Sequence, residues 1–191
     1  MIVGKWDTNR EMANSPRQYA QQEINDLIAC PKVISDAPKR DMKLDRGHFR
    51  NDMRLNSTDG KLEFRVFMRR SEDLPENFSI GLVFLAKDGS GEVILFRCNG
   101  PHGEYNDSFD PGHPHWDFHV HRASAEMIEA GRRPERIATI SGDFASYEEA
   151  VQYFLSETNI TNARIYFADL SQGILPFSDR KSTRLNSSHS S

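Results

Sequence analysis

Apolar residues recur at every second position through part of the middle of the chain. From Leu62 to Met68 they alternate with residues that are mostly charged, which predicts a half-buried β-strand with a basic outer face. Residues 78–86 are almost continuously apolar and predict a central strand. The turn residues at 88–91 and the segment 92–98 then predict a returning strand, so these two strands form a β-hairpin.

Helical patterns lie on both sides of these strands. Ser15-Pro16 is typical of a helix start, apolar residues at helical spacing continue to Ile28, and Pro31 ends the helix. A short helix is predicted at 124–131, and a capping box at Ser146 opens a third helix.

Short strands are also predicted at 32–36 and 164–167. The order of helix, several strands and two helices favours an α+β fold with an antiparallel sheet flanked by N-terminal and C-terminal helices. The length of 191 residues fits one domain, which we place at residues 1–178.

Composition narrows the class of protein. No stretch approaches the roughly 18–20 apolar residues of a membrane-spanning helix, so we expect no membrane association through such a segment. The net charge of -4 argues against a global basic field for nucleic acid, although a local patch stays open. Two cysteines and the absence of a secretory signal pattern predict a cytoplasmic protein without a disulfide framework.

The last residues differ from the rest. Residues 179–189 read DRKSTRLNSSH and resemble one reading frame of a sequencing adapter translated by mistake. The segment Lys181–Ser191 has one large apolar residue and no helical or strand periodicity. We therefore expect residues 179–191 to be a disordered, artefactual tail on a bacterial sequence assembled from environmental reads.

The strongest chemical signal is the segment HPHWDFHVH, His113–His121. A strand from His115 to Arg122 alternates its side chains between two faces. One face then carries His115, Asp117, His119 and His121, and the other carries Trp116, Phe118 and Val120. The apolar set suits a core, whereas a row of imidazoles around a carboxylate is a plausible reactive surface.

The spacing of side chains along a strand limits how many of them bind one metal ion. Neighbours on one strand face lie about 6.6 Å apart, so one ion takes two or at most three ligands from this strand. We predict a zinc or manganese site at His119 and His121, completed by His102, with Asp117 as a third ligand or as a group that orients an imidazole.

Chemistry without a metal is an alternative. Two histidines with different pKa values act as general base and general acid on a phosphodiester, with a cation such as Arg122 to stabilise the developing charge. A third interpretation is a solvent-facing strand that carries histidines without a function, because polar residues are expected on the outer face of an antiparallel sheet.

The loop Asn99–Glu104 follows a predicted strand directly and contains two glycines. Its backbone N–H groups are candidates for an anion-binding nest, which adds Asn99 and Gly100 to the candidate ligand-binding residues beside His115 and Arg122. The same loop can fold His102 over the face of His119 and His121. A plain turn is the favoured interpretation of the glycines.

Two elements of the chain resemble a known family. The run RCNGPHG at Arg97–Gly103 and the run DFHVH at Asp117–His121, followed by the helix at 146–160, are similar to a family of small uncharacterised bacterial proteins with a domain of unknown function. The resemblance covers about residues 60–160. It emphasises Asn99, Gly100, His102, Asp117, His119 and His121 but not His115, and it implies no activity.

The leading hypothesis is a metal-binding or acid/base hydrolase that acts on a phosphodiester or nucleic acid. His102, Asp117, His119 and His121 are its candidate catalytic residues. The competing hypothesis is a non-enzymatic binding or regulatory module, related to defence or to phage, whose histidine face contacts a protein partner.

Overall fold

The computed structural model describes residues 17–103 and 112–168. Within these residues the chain forms an eight-stranded sheet with three α-helices, which confirms the α+β fold. The strands are β1 (Lys32–Asp36), β2 (Lys43–Asp45), β3 (His48–Ser57), β4 (Glu63–Ser71), β5 (Phe78–Ala86), β6 (Gly91–Asn99), β7 (His119–Arg122) and β8 (Ala138–Ile140). The helices are α1 (Gln21–Ala29), α2 (Ala125–Glu129) and α3 (Tyr147–Glu157).

The sheet is a meander, because β3 to β8 pair in sequence order and each pairing is antiparallel. Strands β1 and β2 pair with different parts of the long strand β3. The hairpin of β5 and β6 lies near the centre, as the sequence predicts, and β7 pairs with the outer edge of β6.

Helices α1 and α3 cover one face of this sheet. Ile24, Leu27 and Ile28 lie on one side of α1 because they are spaced by three and four residues, and all three are buried. Phe154 of α3 stacks on Phe96 of β6 with ring centroids 5.9 Å apart. These side chains share one core with the inward residues of the central strands, so the helices leave the opposite sheet face to other elements.

The N-terminal helix begins later than the sequence predicts. Ser15 and Pro16 lie outside the described residues, and α1 begins at Gln21 after Ala20, whose ψ of 147° is extended. Tyr19 is buried in the core before the helix starts. The start of the helix therefore follows from the packing of Tyr19 in the core and not from the local Ser15-Pro16 pattern.

Four other elements differ from the sequence prediction. Residues 164–167 do not form a strand, because a 3-10 turn occupies Ala163–Ile165. Strands β2, β3 and β8 were not predicted. In β3 the inward positions include Asn51 and Ser57, so polar residues hide the apolar alternation that would identify the strand.

Ser146 caps α3 as predicted, because its side chain accepts a hydrogen bond from Glu149 N. None of the helices in the described part of the chain has the length and apolar character that crossing a membrane requires.

Candidate functional site

The candidate site lies on the sheet face that α1 and α3 leave open. Strand register places six residues of β5, β6 and β7 in two neighbouring rows on this face: Ser79, Asn99 and His119, then Gly81, Arg97 and His121. The residues between them, such as Cys98 and Val120, face the core. The sequence alternation therefore predicts correctly that His119 and His121 share a face.

The strand that carries these histidines is shorter than predicted. Pro114–Trp116 form a 3-10 turn, and β7 begins only at His119. Pro114 fixes its own φ at the first position of the turn, and His113 before it has a left-handed backbone with φ of 56°. Trp116 consequently points away from the core and is 64% exposed, contrary to the prediction that it packs there.

This turn still brings His115 to the site. His115 is buried, and its ring centroid lies 4.7 Å from that of His119. His102 reaches the same place from the loop after β6, with its ring centroid 4.9 Å from that of His115. The backbone N–H groups of His102 and Gly103 both donate to His115 O, at 3.0 and 3.2 Å, and thereby fasten the loop to the turn.

Gly100 allows the loop to leave β6. A Cβ at this position would lie 1.8 Å from Glu76 O, so no other residue fits without a backbone shift. Gly100 N donates to Phe78 O at 3.1 Å. The N–H groups of Gly100, His102 and Gly103, which the sequence offers as an anion nest, therefore bond within the protein and position the histidines.

Three imidazoles converge at this point. His102, His115 and His119 each offer a ring nitrogen, and these nitrogens all lie within 4.8 Å of one another. His115 Nδ1 and His119 Nε2 lie 3.2 Å apart. Asn99 Nδ2 lies 3.2 Å from His119 Nε2 and 3.4 Å from His102 Nε2, and Ser79 Oγ donates to Asn99 Oδ1 at 2.9 Å.

Backbone carbonyls set the orientation of two of these rings. His119 Nδ1 donates to Asp117 O at 2.8 Å, and His102 Nδ1 donates to Gly103 O at 3.1 Å. Because a carbonyl only accepts, the proton of each neutral ring resides on Nδ1 and the lone pair on Nε2 faces the cluster. A hydrogen bond of this kind at the far nitrogen is the usual arrangement of a metal-binding histidine.

Burial also favours the neutral form of His102, His119 and His121. It lowers the pKa of His119 to about 4 and, as the largest of several causes, the pKa of His121 to about 2. Burial and the neighbouring His115 lower the pKa of His102. Neutral imidazole is the form that binds metal ions, whereas general acid–base catalysis near neutral pH favours a pKa close to 7.

Two predicted site residues lie elsewhere. The side chain of Asp117 is exposed and lies outside the group of three imidazoles, so its contact with His119 is made by the backbone carbonyl. Arg122 faces the other side of the sheet, where it pairs with Glu157 and lies over the ring of Phe96. It therefore does not reach the histidine cluster.

His121 lies beside the cluster but outside the group of three. Its ring centroid is 5.0 Å from that of His119, and its side chain is 2% exposed. Both ring nitrogens are buried and have no hydrogen-bond partner among the residues that the structure describes. This is an unusual state for a buried polar side chain.

His102, His115 and His121 line a cleft of about 460 Å³, the size of a small-molecule site. Its described lining also includes Asn77, Phe78, Ser79 and His48, together with four charged residues: Arg97, Arg133, Glu135 and Arg136. Glu135 is 2% exposed and pairs with Arg133 at 2.7 Å. Burial lowers the pKa of Arg97, and the charge of Glu135 opposes that effect.

Sequence reasoning did not identify Ser79 and Arg97 as site residues. Arg97 lies in an apolar strand, so only its register opposite His121 shows that it faces the cleft. A signal for Ser79 existed in the polar interruption of an otherwise apolar strand.

Comparisons with protein families, with curated proteins and with solved structures found no match for this chain. The function is therefore argued from the site itself.

Proposed function

We propose that the protein binds one divalent transition-metal ion through His102, His115 and His119 and acts as a metal-dependent hydrolase on phosphate esters. The observation that supports this proposal most directly is the convergence of three imidazole nitrogens within 4.8 Å of one another. They come from three separate local structures: a loop, a 3-10 turn and a strand.

The distances fit a single ion. Two ligands that each lie about 2.05 Å from a tetrahedral zinc ion are about 3.3 Å apart. His115 Nδ1 and His119 Nε2 already lie 3.2 Å apart. Ligation through this pair requires the proton of His115 to reside on Nε2, which is the other neutral tautomer of that ring.

The ligand set favours zinc over manganese. Imidazole nitrogen suits zinc, copper, iron and nickel, whereas manganese prefers carboxylate, carbonyl and water oxygens. Three protein ligands leave a fourth tetrahedral position for water, which is the arrangement of catalytic zinc sites. Zinc at such a position lowers the pKa of bound water to about 7 and so supplies a hydroxide for hydrolysis.

Metal titration of the purified protein tests the binding site. After chelator treatment, calorimetry with zinc should give one ion per chain, and His115→Ala should weaken binding by about 100-fold or more. His48→Ala is the matched control, because His48 lines the same cleft but is exposed and lies outside the group of three. Wild-type protein without a zinc site, or equal binding by His115→Ala, would overturn the proposal.

A second measurement separates catalysis from binding. Zinc-loaded protein should release nitrophenol from bis(p-nitrophenyl) phosphate, and His119→Ala should abolish the release while His48→Ala retains it. Tight zinc binding without turnover of this diester or of its monoester would favour the non-enzymatic binding module instead.

A further inference from the structure

Beside the three-histidine cluster the cleft has a second wall with a different chemistry. Arg97 and His121 occupy directly opposite positions on β6 and β7 and point to the same sheet face. Both line the cleft. The Nε of Arg97 and both ring nitrogens of His121 are buried without a hydrogen-bond partner in the described parts of the chain.

Buried polar groups without a partner are costly unless a ligand pairs with them. Leaving a buried polar group unsatisfied costs about 1–3 kcal/mol, and more for a charged group. Arg97 forms no ion pair with a described residue, since the nearby carboxylate of Glu135 is bound by Arg133. A guanidinium and an imidazole that both point into one cleft therefore have open hydrogen-bonding capacity there.

The charge of the cleft favours an anion. Three guanidinium groups, on Arg97, Arg133 and Arg136, face the single carboxylate of Glu135 among the described lining residues. The guanidinium groups come from β6 and from the loop before β8, so they approach the cleft from two directions. Guanidinium groups bind phosphate oxygens through their planar fork, and groups that approach from two directions can reach different oxygens of a tetrahedral oxyanion.

We propose that Arg97 and His121 form a phosphate-binding subsite that holds the phosphoryl group of a small phosphate ester next to the metal centre. Arg97 donates through its guanidinium fork. His121 donates from the one ring nitrogen that carries a hydrogen in its neutral form. The link to hydrolysis rests on the proposed function, whereas phosphate binding does not need the metal. The cleft volume of about 460 Å³ accommodates a molecule the size of a mononucleotide.

The test uses chelator-treated protein and inorganic phosphate, followed by calorimetry or by ³¹P line broadening. Wild-type protein should bind one phosphate per chain, and Arg97→Gln should weaken this binding by about 10- to 100-fold. Arg54→Gln, which removes the same charge from an exposed position of β3 outside the cleft, should leave it unchanged. Arg97→Lys keeps the charge but not the fork, and should give an intermediate affinity.

The subsite would be overturned if wild-type protein bound no phosphate, or if Arg54→Gln and Arg97→Gln lost phosphate affinity equally. Acetate binding as tight as phosphate binding would overturn it too. Failure of the metal centre is a separate outcome, because phosphate binding is measured on metal-free protein. Zinc titration of Arg97→Gln should still give one ion per chain. Phosphate that binds only after zinc is added, with no effect of Arg97→Gln, would place the anion on the metal and also overturn the subsite.

Discussion

Asn99 Nδ2 lies 3.2 Å from His119 Nε2 and donates to the ring lone pair that faces the histidine cluster. Its amide oxygen points the other way and accepts from Ser79 Oγ. Asn99 therefore faces the lone pairs of His119 and His102, two of the three imidazoles that would bind an ion. A half-turn of the amide exchanges its oxygen and nitrogen and presents an acceptor to the ion.

This relationship predicts the effect of Asn99→Asp. A carboxylate here presents oxygens and a negative charge to the cluster, so zinc affinity should rise by about tenfold or more. The metal-free variant should melt at a lower temperature, because the imidazole lone pairs lose their donor.

Asn51→Asp is the control for this variant, since Asn51 is also buried but bonds to the backbone of Lys39. It should lower stability without changing zinc affinity. Unchanged zinc binding by Asn99→Asp would show that residue 99 does not face the bound ion.

Replacing His121 should change the stability and the phosphate affinity of the protein in opposite directions. Because neither ring nitrogen has a partner among the described residues, His121→Phe removes an unsatisfied polar group and should raise the unfolding free energy of the metal-free protein by about 1 kcal/mol. Phosphate affinity should fall in the same variant.

His119→Phe is the comparison, because His119 bonds through both ring nitrogens. It should lose stability by about 1–3 kcal/mol. Urea denaturation of both variants measures the difference. Equal destabilisation by the two changes would contradict the unpartnered state of His121.

Gly100 links the backbone path to the histidine cluster. Gly100→Ala should destabilise the protein by at least about 2 kcal/mol, because the added Cβ meets Glu76 O and displaces the loop that carries His102. Zinc affinity should fall as well. Gly142→Ala, at a position with open space around the Cβ, should change neither quantity. Normal zinc binding by Gly100→Ala would show that His102 is not a ligand.

Lys32 holds the two long helices against the sheet. Its side chain is fully buried, and Nζ donates to Ile28 O, Cys30 O and Thr158 O at 2.8, 2.8 and 3.1 Å. Lys32→Met leaves these carbonyls without their donor and should lower the unfolding free energy by roughly 3 kcal/mol. Lys61→Met, at an exposed site, should have little effect in the same urea titration.

Local sequence patterns determined much of the sheet and part of the site. The continuous apolar run at 78–86 and the turn at 88–91 identified the central hairpin, and the alternation along 115–122 placed His119 and His121 on one face. These features depend on neighbours two to four residues apart, so they can be recognised from the sequence.

Tertiary structure decided which histidines meet. His115 lies outside β7, contrary to the prediction, because Pro114 starts a 3-10 turn. Hydrogen bonds from the loop after β6 to the carbonyl of His115 hold it beside His102. Arg97 became a cleft residue only through its register opposite His121. Contacts of this kind depend on strand pairing and loop closure, which the order of residues along one segment does not specify.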